Sequence, residues 1–302
     1  MRRVLKRLLK ALGVVLVLVV GGGGVFAYVQ CSRFDASMDK VYDVTVPSLA
    51  RSTDPAVLAR GKHLAESIGA CEASPCHGPD LGGGELIVMG PLGSFAGSNV
   101  TVMREAYSDG ELGRLIKHGI KKDGRSVRFM PAQDISWLPD ADVAAIVSYV
   151  RTVPAVDRAN KPVTIGTLGK ILDRRDQFVW DVARRIDHGK TEAVPPPEAT
   201  ATYGAFLSRM CEGCHGEHLS GGPLPGAPSS FAVPLDLTPD PTGIKDWEFA
   251  DFDKLMRTGV RKNGKQLDKL MPIEAWKNLD DTEMHASWAY LRTLPPTPFG
   301  NR

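Results

Sequence analysis

Cys211-Glu212-Gly213-Cys214-His215 decides how this chain is read. Two thiols and an imidazole fall within five residues, the spacing of a covalent c-type haem attachment. In such a site both thiols add to porphyrin vinyl groups, and His215 ligates iron on one face. A looser version lies upstream: Cys71-Glu72-Ala73-Ser74-Pro75-Cys76-His77, with four residues between the cysteines instead of two. A loop of that length reaches both vinyls if it bulges, and Pro75 would shape the bulge. The competing assignment for Cys211 to His215 is half of a zinc site. That site needs two further ligands, and no second cysteine pair is free to supply them.

Working outward from the two motifs, the same order of signals appears twice. Helix-spaced Val57, Leu58, Gly61, Leu64 and Ile68 would deliver Cys71, and 203–210 leads into Cys211. Glycine-rich loops follow each motif at 78–84 and 216–222. Helices are expected over 109–118 and 249–258, ended by Gly119 and Gly259. The turns Lys121-Lys122-Asp123-Gly124 and Arg261-Lys262-Asn263-Gly264 correspond, and so do Met130-Pro131 and Met271-Pro272. Last helices are expected over 140–151 and 280–291. They end alike, in Tyr149-Val150-Arg151-Thr152-Val153-Pro154 and Tyr290-Leu291-Arg292-Thr293-Leu294-Pro295. A repeat of roughly 140 residues is too long for a solenoid unit and means two domains. The expected architecture is all-α, with tandem domains at 55–154 and 200–302 behind an N-terminal transmembrane helix.

The Met-Pro pairs supply the missing iron ligands. Met130 lies 53 residues after His77, and Met271 lies 56 after His215. Proline lacks an N–H and fixes φ, so it suits an extended loop that presents the preceding side chain. A thioether favours ferrous iron and raises the reduction potential. A lone methionine is ordinarily core filling; the repetition at matched distance is what argues for ligation. The candidate cofactor-binding set is therefore Cys71, Cys76, His77, Met130, Cys211, Cys214, His215 and Met271, with iron held by His77, Met130, His215 and Met271. Weaker distal candidates are His63, His118, Met89 and Met103. His118 precedes Gly119, where a cation would suit the helix dipole. His188, His218 and His285 read as ordinary. Arg125, Arg128, Lys262 and Lys265 flank the Met loops, either as a solvated face or facing propionates or a partner.

The chain has 302 residues and a formal net charge of +2, with no basic stripe for nucleic acid and no acidic tail. Residues 1–31 carry Arg2, Arg3, Lys6, Arg7 and Lys10, then an uncharged run from Ala11 to Ser32. That run is long enough to span the hydrocarbon core, and the basic flank would stay cytoplasmic. A cleaved signal peptide is the alternative, with Val25-Phe26-Ala27 as the processing site. Cys31 is left outside the motifs; Gln30 before it disfavours lipidation. Residues 32–54 read as a polar connector. The linker 155–199 is expected to carry an amphipathic helix over 168–188, packed against a haem domain, and a stiff spacer over 192–198 around Pro195-Pro196-Pro197. No structural disulfide is expected.

With both motifs and both Met-Pro loops in view, the chain resembles the bacterial class I cytochrome c family in a tandem dihaem form. The resemblance covers about residues 55–154 and 200–296. Leu237-Thr238-Pro239-Asp240-Pro241-Thr242-Gly243-Ile244 with Trp247 is similar to the second-domain loop of membrane-bound cytochrome c subunits of periplasmic dehydrogenases. Those subunits commonly carry three haems, whereas this chain has motifs for two covalently attached haem c groups. The resemblance implies an electron carrier at the bacterial cytoplasmic membrane, facing the periplasm. Its partners would be redox proteins: a dehydrogenase, an oxidase or another cytochrome. The enzyme alternative is a dihaem peroxidase, which needs one displaceable ligand and nearby acid–base groups. A redox or gas sensor is a third reading.

Overall fold

The computed structural model describes residues 2–74, 76–190, 193–227, 229 and 231–302. Helix α1 runs Arg2–Met38 over 37 residues, about 55 Å at 1.5 Å per residue. By length and composition it is able to cross a membrane, and its apolar stretch is exposed. It overruns the expected boundary at residue 31 because its last turns find partners on the body of the protein. Phe34 is buried among Met89, Leu92, Leu172 and Trp180. Lys170 binds Asp35 at 2.6 Å, and the Ser37 hydroxyl donates to Asp181. Cys31 lies within α1.

In the first half, α2 (Pro55–Glu66) is capped by the Asp54 carboxylate, which accepts the Ala56 N–H, with proline at its start. It stops at Glu66 rather than carrying Cys71; Ala70 takes a left-handed φ of 47° before the motif. Strands β1 (Ile87–Val88) and β2 (Gly93–Phe95) precede the short α3 (Val100–Met103). Helix α4 (Asp109–His118) begins in a Ser108/Glu111 capping box and ends at left-handed Gly119. Helix α5 (Asp140–Thr152) packs across α2.

The linker departs from expectation. It opens with β3 (Thr164–Ile165), which joins β2 and makes an antiparallel three-stranded sheet, so the fold is mostly helical and not purely so. The sheet forms because β-branched pairs flank Gly93, whose backbone comes too close to the Thr164 carbonyl for any side chain. Helix α6 (Thr167–Arg174) ends well short of residue 188. Asp176 turns left-handed at φ 59°, and the Asp173 carboxylate accepts the N–H groups of Trp180 and Asp181, closing a loop instead of a helix. Leu168 and Leu172 of α6 pack with Leu92 of the first half and with Ala227 and Phe231 of the second. The linker thus touches both halves. Of the expected spacer 192–198, Glu192 lies outside the described residues.

The second half also has a crossed pair of helices. Helix α7 (Ala201–His215) crosses α10 (Asp281–Leu291) as α2 crosses α5, with α8 (Phe249–Thr258) and α9 (Ile273–Trp276) between. Each crossing closes on a glycine. A Cβ on Gly61 would stand 2.0 Å from the Ala145 carbonyl oxygen, and one on Gly204 would stand 1.8 Å from that of Ala286. The two halves share a core in which Leu64, Ile68 and Ile146 join Phe206, Leu207 and Met284. Trp137 meets Phe206 with ring centroids 4.0 Å apart.

A part-buried histidine–carboxylate pair also joins the halves. His63 on α2 places Nε2 3.0 Å from each oxygen of Glu283 on α10. Bonding to Glu283 lifts His63 above its ordinary value, against an opposing effect of burial. A raised folded pKa gives stability that is complete below the unfolded value of about 6.5. It is lost as pH climbs through the folded value. Thermal unfolding should therefore show a stability loss on the alkaline side of that window. Glu283→Gln should flatten it and cost about 1–2 kcal/mol at pH 6. An unchanged slope in the variant would contradict the assignment.

Candidate haem sites

After each histidine the backbone follows one path. His77 Nδ1 donates to the Ser98 carbonyl at 2.7 Å, 21 residues on. His215 Nδ1 donates to the Leu235 carbonyl at 2.6 Å, 20 residues on. Each bond fixes ring orientation and tautomer, leaving Nε2 as the lone-pair nitrogen, as an iron-ligating imidazole requires. Burial pulls both histidines below their ordinary pKa, so both rings are neutral bases. Beyond them, Leu81 donates to Gly78 and Leu219 to Gly216, each at 3.0 Å. Both leucines are buried at positive φ, 53° and 56°, a costly conformation that a close-fitting surround must hold.

The thiols sit on different backbones. Cys211 and Cys214 belong to the last turn of α7. Cys71 and Cys76 lie in turns, where Cys76 N–H reaches the Ala73 carbonyl and His77 N–H the Cys71 carbonyl. The longer loop is thus folded back so that His77 emerges in the frame of His215. Pro75, expected to shape this bulge, lies outside the described residues. All five cysteines are free thiols. Desolvation pushes Cys71 and Cys211 up to about 12 and Cys76 up to about 11, so they are not thiolates at neutral pH.

The Met-Pro loops match in detail. Gly119 and Gly259 are both left-handed helix caps, followed by tight hairpins closed by Gly124 and Gly264. Pro131 has φ −78° and ψ 55°, and Pro272 has φ −77° and ψ 62°. These are inverse γ-turns. Ala132 donates to the Met130 carbonyl and Ile273 to the Met271 carbonyl, each at 2.7 Å. Both methionines are half-buried. Met271 packs on the core that also takes in Cys71 and Cys211, whereas Met130 packs with Leu115, Val127 and Val182. The residues present therefore fit two covalently held haems: free thiol pairs, oriented imidazoles and twice-built methionine loops.

No family model matches the chain. Among known proteins it is 35% identical, over 292 residues, to the cytochrome c subunit of alcohol dehydrogenase (quinone) from Gluconacetobacter polyoxogenes. That alignment covers 88% of this chain and 62% of the relative. The chain is homologous to cytochrome c subunits of dehydrogenases. A second such relative is the gluconate 2-dehydrogenase cytochrome c subunit of Pantoea cypripedii, 35% identical over 31% of this chain and 23% of the relative. The fructose dehydrogenase cytochrome subunit of Gluconobacter japonicus is 33% identical over 32% of this chain and 21% of its own length. The chain thus spans about three fifths of the alcohol dehydrogenase subunit's length and less of the other two.

Set beside these cytochromes c, the weaker candidates have other occupations. His63 is committed to Glu283. His118 Nδ1 lies 3.2 Å from His188 Nδ1. Burial, then His188 and Lys117, push His118 down to about 4, which overturns its expected role as a cation at the helix end. Met89 is a core residue at 2% exposure, and Met103 closes α3. His285 bonds the Asp281 carbonyl and stacks on Phe249. Lys262 pairs with Asp251 at 2.6 Å, and Arg128 and Lys265 are exposed.

Three features escaped sequence reading. The Ser98 and Leu235 carbonyls have no side-chain signature; only their matched separation from the histidines betrays them. Asp134, in the turn after Pro131, lies against Gly213 of the second motif. Desolvation and then Glu212 push Asp134 up to about 7. Cys214 also acts electrostatically on Cys76, so the two motifs are neighbours.

Proposed function

We propose that this chain is a membrane-anchored dihaem c-type cytochrome that carries electrons between redox partners. Residues 55–154 and 200–302 are its two haem domains, joined by the linker 155–199. Cys71 and Cys76 hold one haem by thioether bonds, and Cys211 and Cys214 hold the other. His77 with Met130, and His215 with Met271, would ligate the two irons. Bound haem supplies reversible one-electron chemistry. In this reading the polypeptide orients both imidazoles, and Met130 and Met271 would take up the ligand positions that a substrate would need. The single observation that carries this reading is the duplicated frame: imidazole locked to a backbone carbonyl, then methionine on an inverse γ-turn.

Helix α1 is the anchor, with its basic end cytoplasmic and the haem domains in the periplasm. The partner in this reading is a dehydrogenase on one side and an oxidase, another cytochrome or a quinone on the other. The relatives' names support the dehydrogenase.

A pyridine haemochrome assay with intact mass tests the proposal. Two haems per chain are expected. The pair Cys211→Ser and Cys214→Ser should remove one, and Cys71→Ser with Cys76→Ser the other. A single haem in the wild-type protein would refute the dihaem reading. Carbon monoxide binding by the as-isolated protein would favour a peroxidase.

A further inference from the structure

The first Met-Pro loop does not end at its own site. Asp134 leaves the turn that follows Pro131 and lies against Gly213, between the two cysteines of the second motif. A Cβ on Gly213 would stand 3.1 Å from Asp134 Oδ2. Besides desolvation, the groups acting on Asp134 are Glu212, which raises it, and Gln133, whose hydrogen bond lowers it. Glu212 is in turn influenced by Arg209 and Glu217. Asp134 itself acts on Cys211 and Cys214, and Arg302 acts on Cys214 from elsewhere.

The repeat makes this carboxylate conspicuous. Met130-Pro131-Ala132-Gln133-Asp134 aligns with Met271-Pro272-Ile273-Glu274-Ala275. The position that carries an acid in the first loop carries a buried alanine, 1% exposed, in the second. A buried alanine at this position suffices for the fold of the second loop. The acid appears in the loop that abuts Gly213 of the other half's attachment segment.

We infer that Asp134 sets the reduction potential of the second haem, holding it lower than an uncharged residue would. This rests on the dihaem reading above. The physical reason is that iron carries one more positive charge when oxidised, and a carboxylate in a medium of low dielectric stabilises that form. The charge is delivered by the first half, so the two sites differ in potential although their frames are alike.

The test is spectropotentiometric titration of the full haem-loaded chain at pH 8.5 and pH 5.5. Wild type is compared with Asp134→Asn and Asp134→Ala, the latter installing the residue type of the second loop. At pH 8.5 one midpoint should rise by about tenfold in equilibrium constant, ~59 mV for a one-electron couple, with the other moving much less. At pH 5.5 the wild-type carboxyl is protonated and the proteins should converge. Asp134→Glu should keep the low potential. Unchanged midpoints in both neutral variants, or equal shifts of both haems at both pH values, would overturn the inference. A haemochrome count of two on the same samples separates that failure from failure of the dihaem reading, which a count of one would signal.

Discussion

Met271→Leu should leave the second haem attached but open on one face. The thioethers and His215 are untouched, so the haemochrome count stays at two. The Met271 sulfur is lost, and with it the preference for ferrous iron. The midpoint of that haem should fall by on the order of 0.1 V, within the ~0.8 V that axial ligands span. High-spin features and carbon monoxide binding should appear together. Met130→Leu should do the same to the first haem alone. The inverse γ-turn at each following proline is why leucine tests ligation and not folding: the backbone that presents residue 271 is fixed by Pro272 and the Ile273 hydrogen bond. A low-spin, carbon-monoxide-inert second haem in Met271→Leu would remove Met271 from the ligand set.

The largest effect on stability is expected at the helix crossings. Gly204→Val would place Cβ 1.8 Å from the Ala286 carbonyl oxygen and 2.8 Å from the Tyr290 Cβ. Backbone on the partner helix cannot move aside as a side-chain tip can. Helices α7 and α10 must separate, at a cost of about 3 kcal/mol or more. His215 and both second-motif thiols sit at the end of α7, so haem incorporation should drop with stability. Gly61→Val should act likewise through α2 and α5. Thermal melts and haem-to-protein ratios read both effects. A Gly204→Ala protein that melts like wild type would mean the helices are not in backbone contact.

The parts of this fold that were legible are those written in local chemistry. Helix ends at Gly119 and Gly259, the hairpins and the Met-Pro pairs depend on residues a few positions apart, and the chain states each of them twice. Comparing the repeats exposed them. What stayed hidden is made at long range or by exception. The three-stranded sheet draws a strand from the linker onto residues 93–95. The break of α6 depends on Asp173 capturing distant N–H groups, although apolar spacing continues beyond Arg174. The carbonyl partners of the histidines are backbone atoms. Asp134 reads as an ordinary loop acid until the two halves are seen side by side.

The way α1 ends has a consequence for how partners are met. Phe34 is sunk into the body, and Asp35 and Ser37 are bonded to the linker. Among the described residues no slack tether separates α1 from the body. With α1 held in the lipid as proposed, the redox groups keep a constant altitude and azimuth over the membrane. Such a carrier cannot swing between distant docking stations like a ball on a chain. Whatever gives it electrons and whatever takes them must come within reach by drifting in the plane or by being bolted alongside.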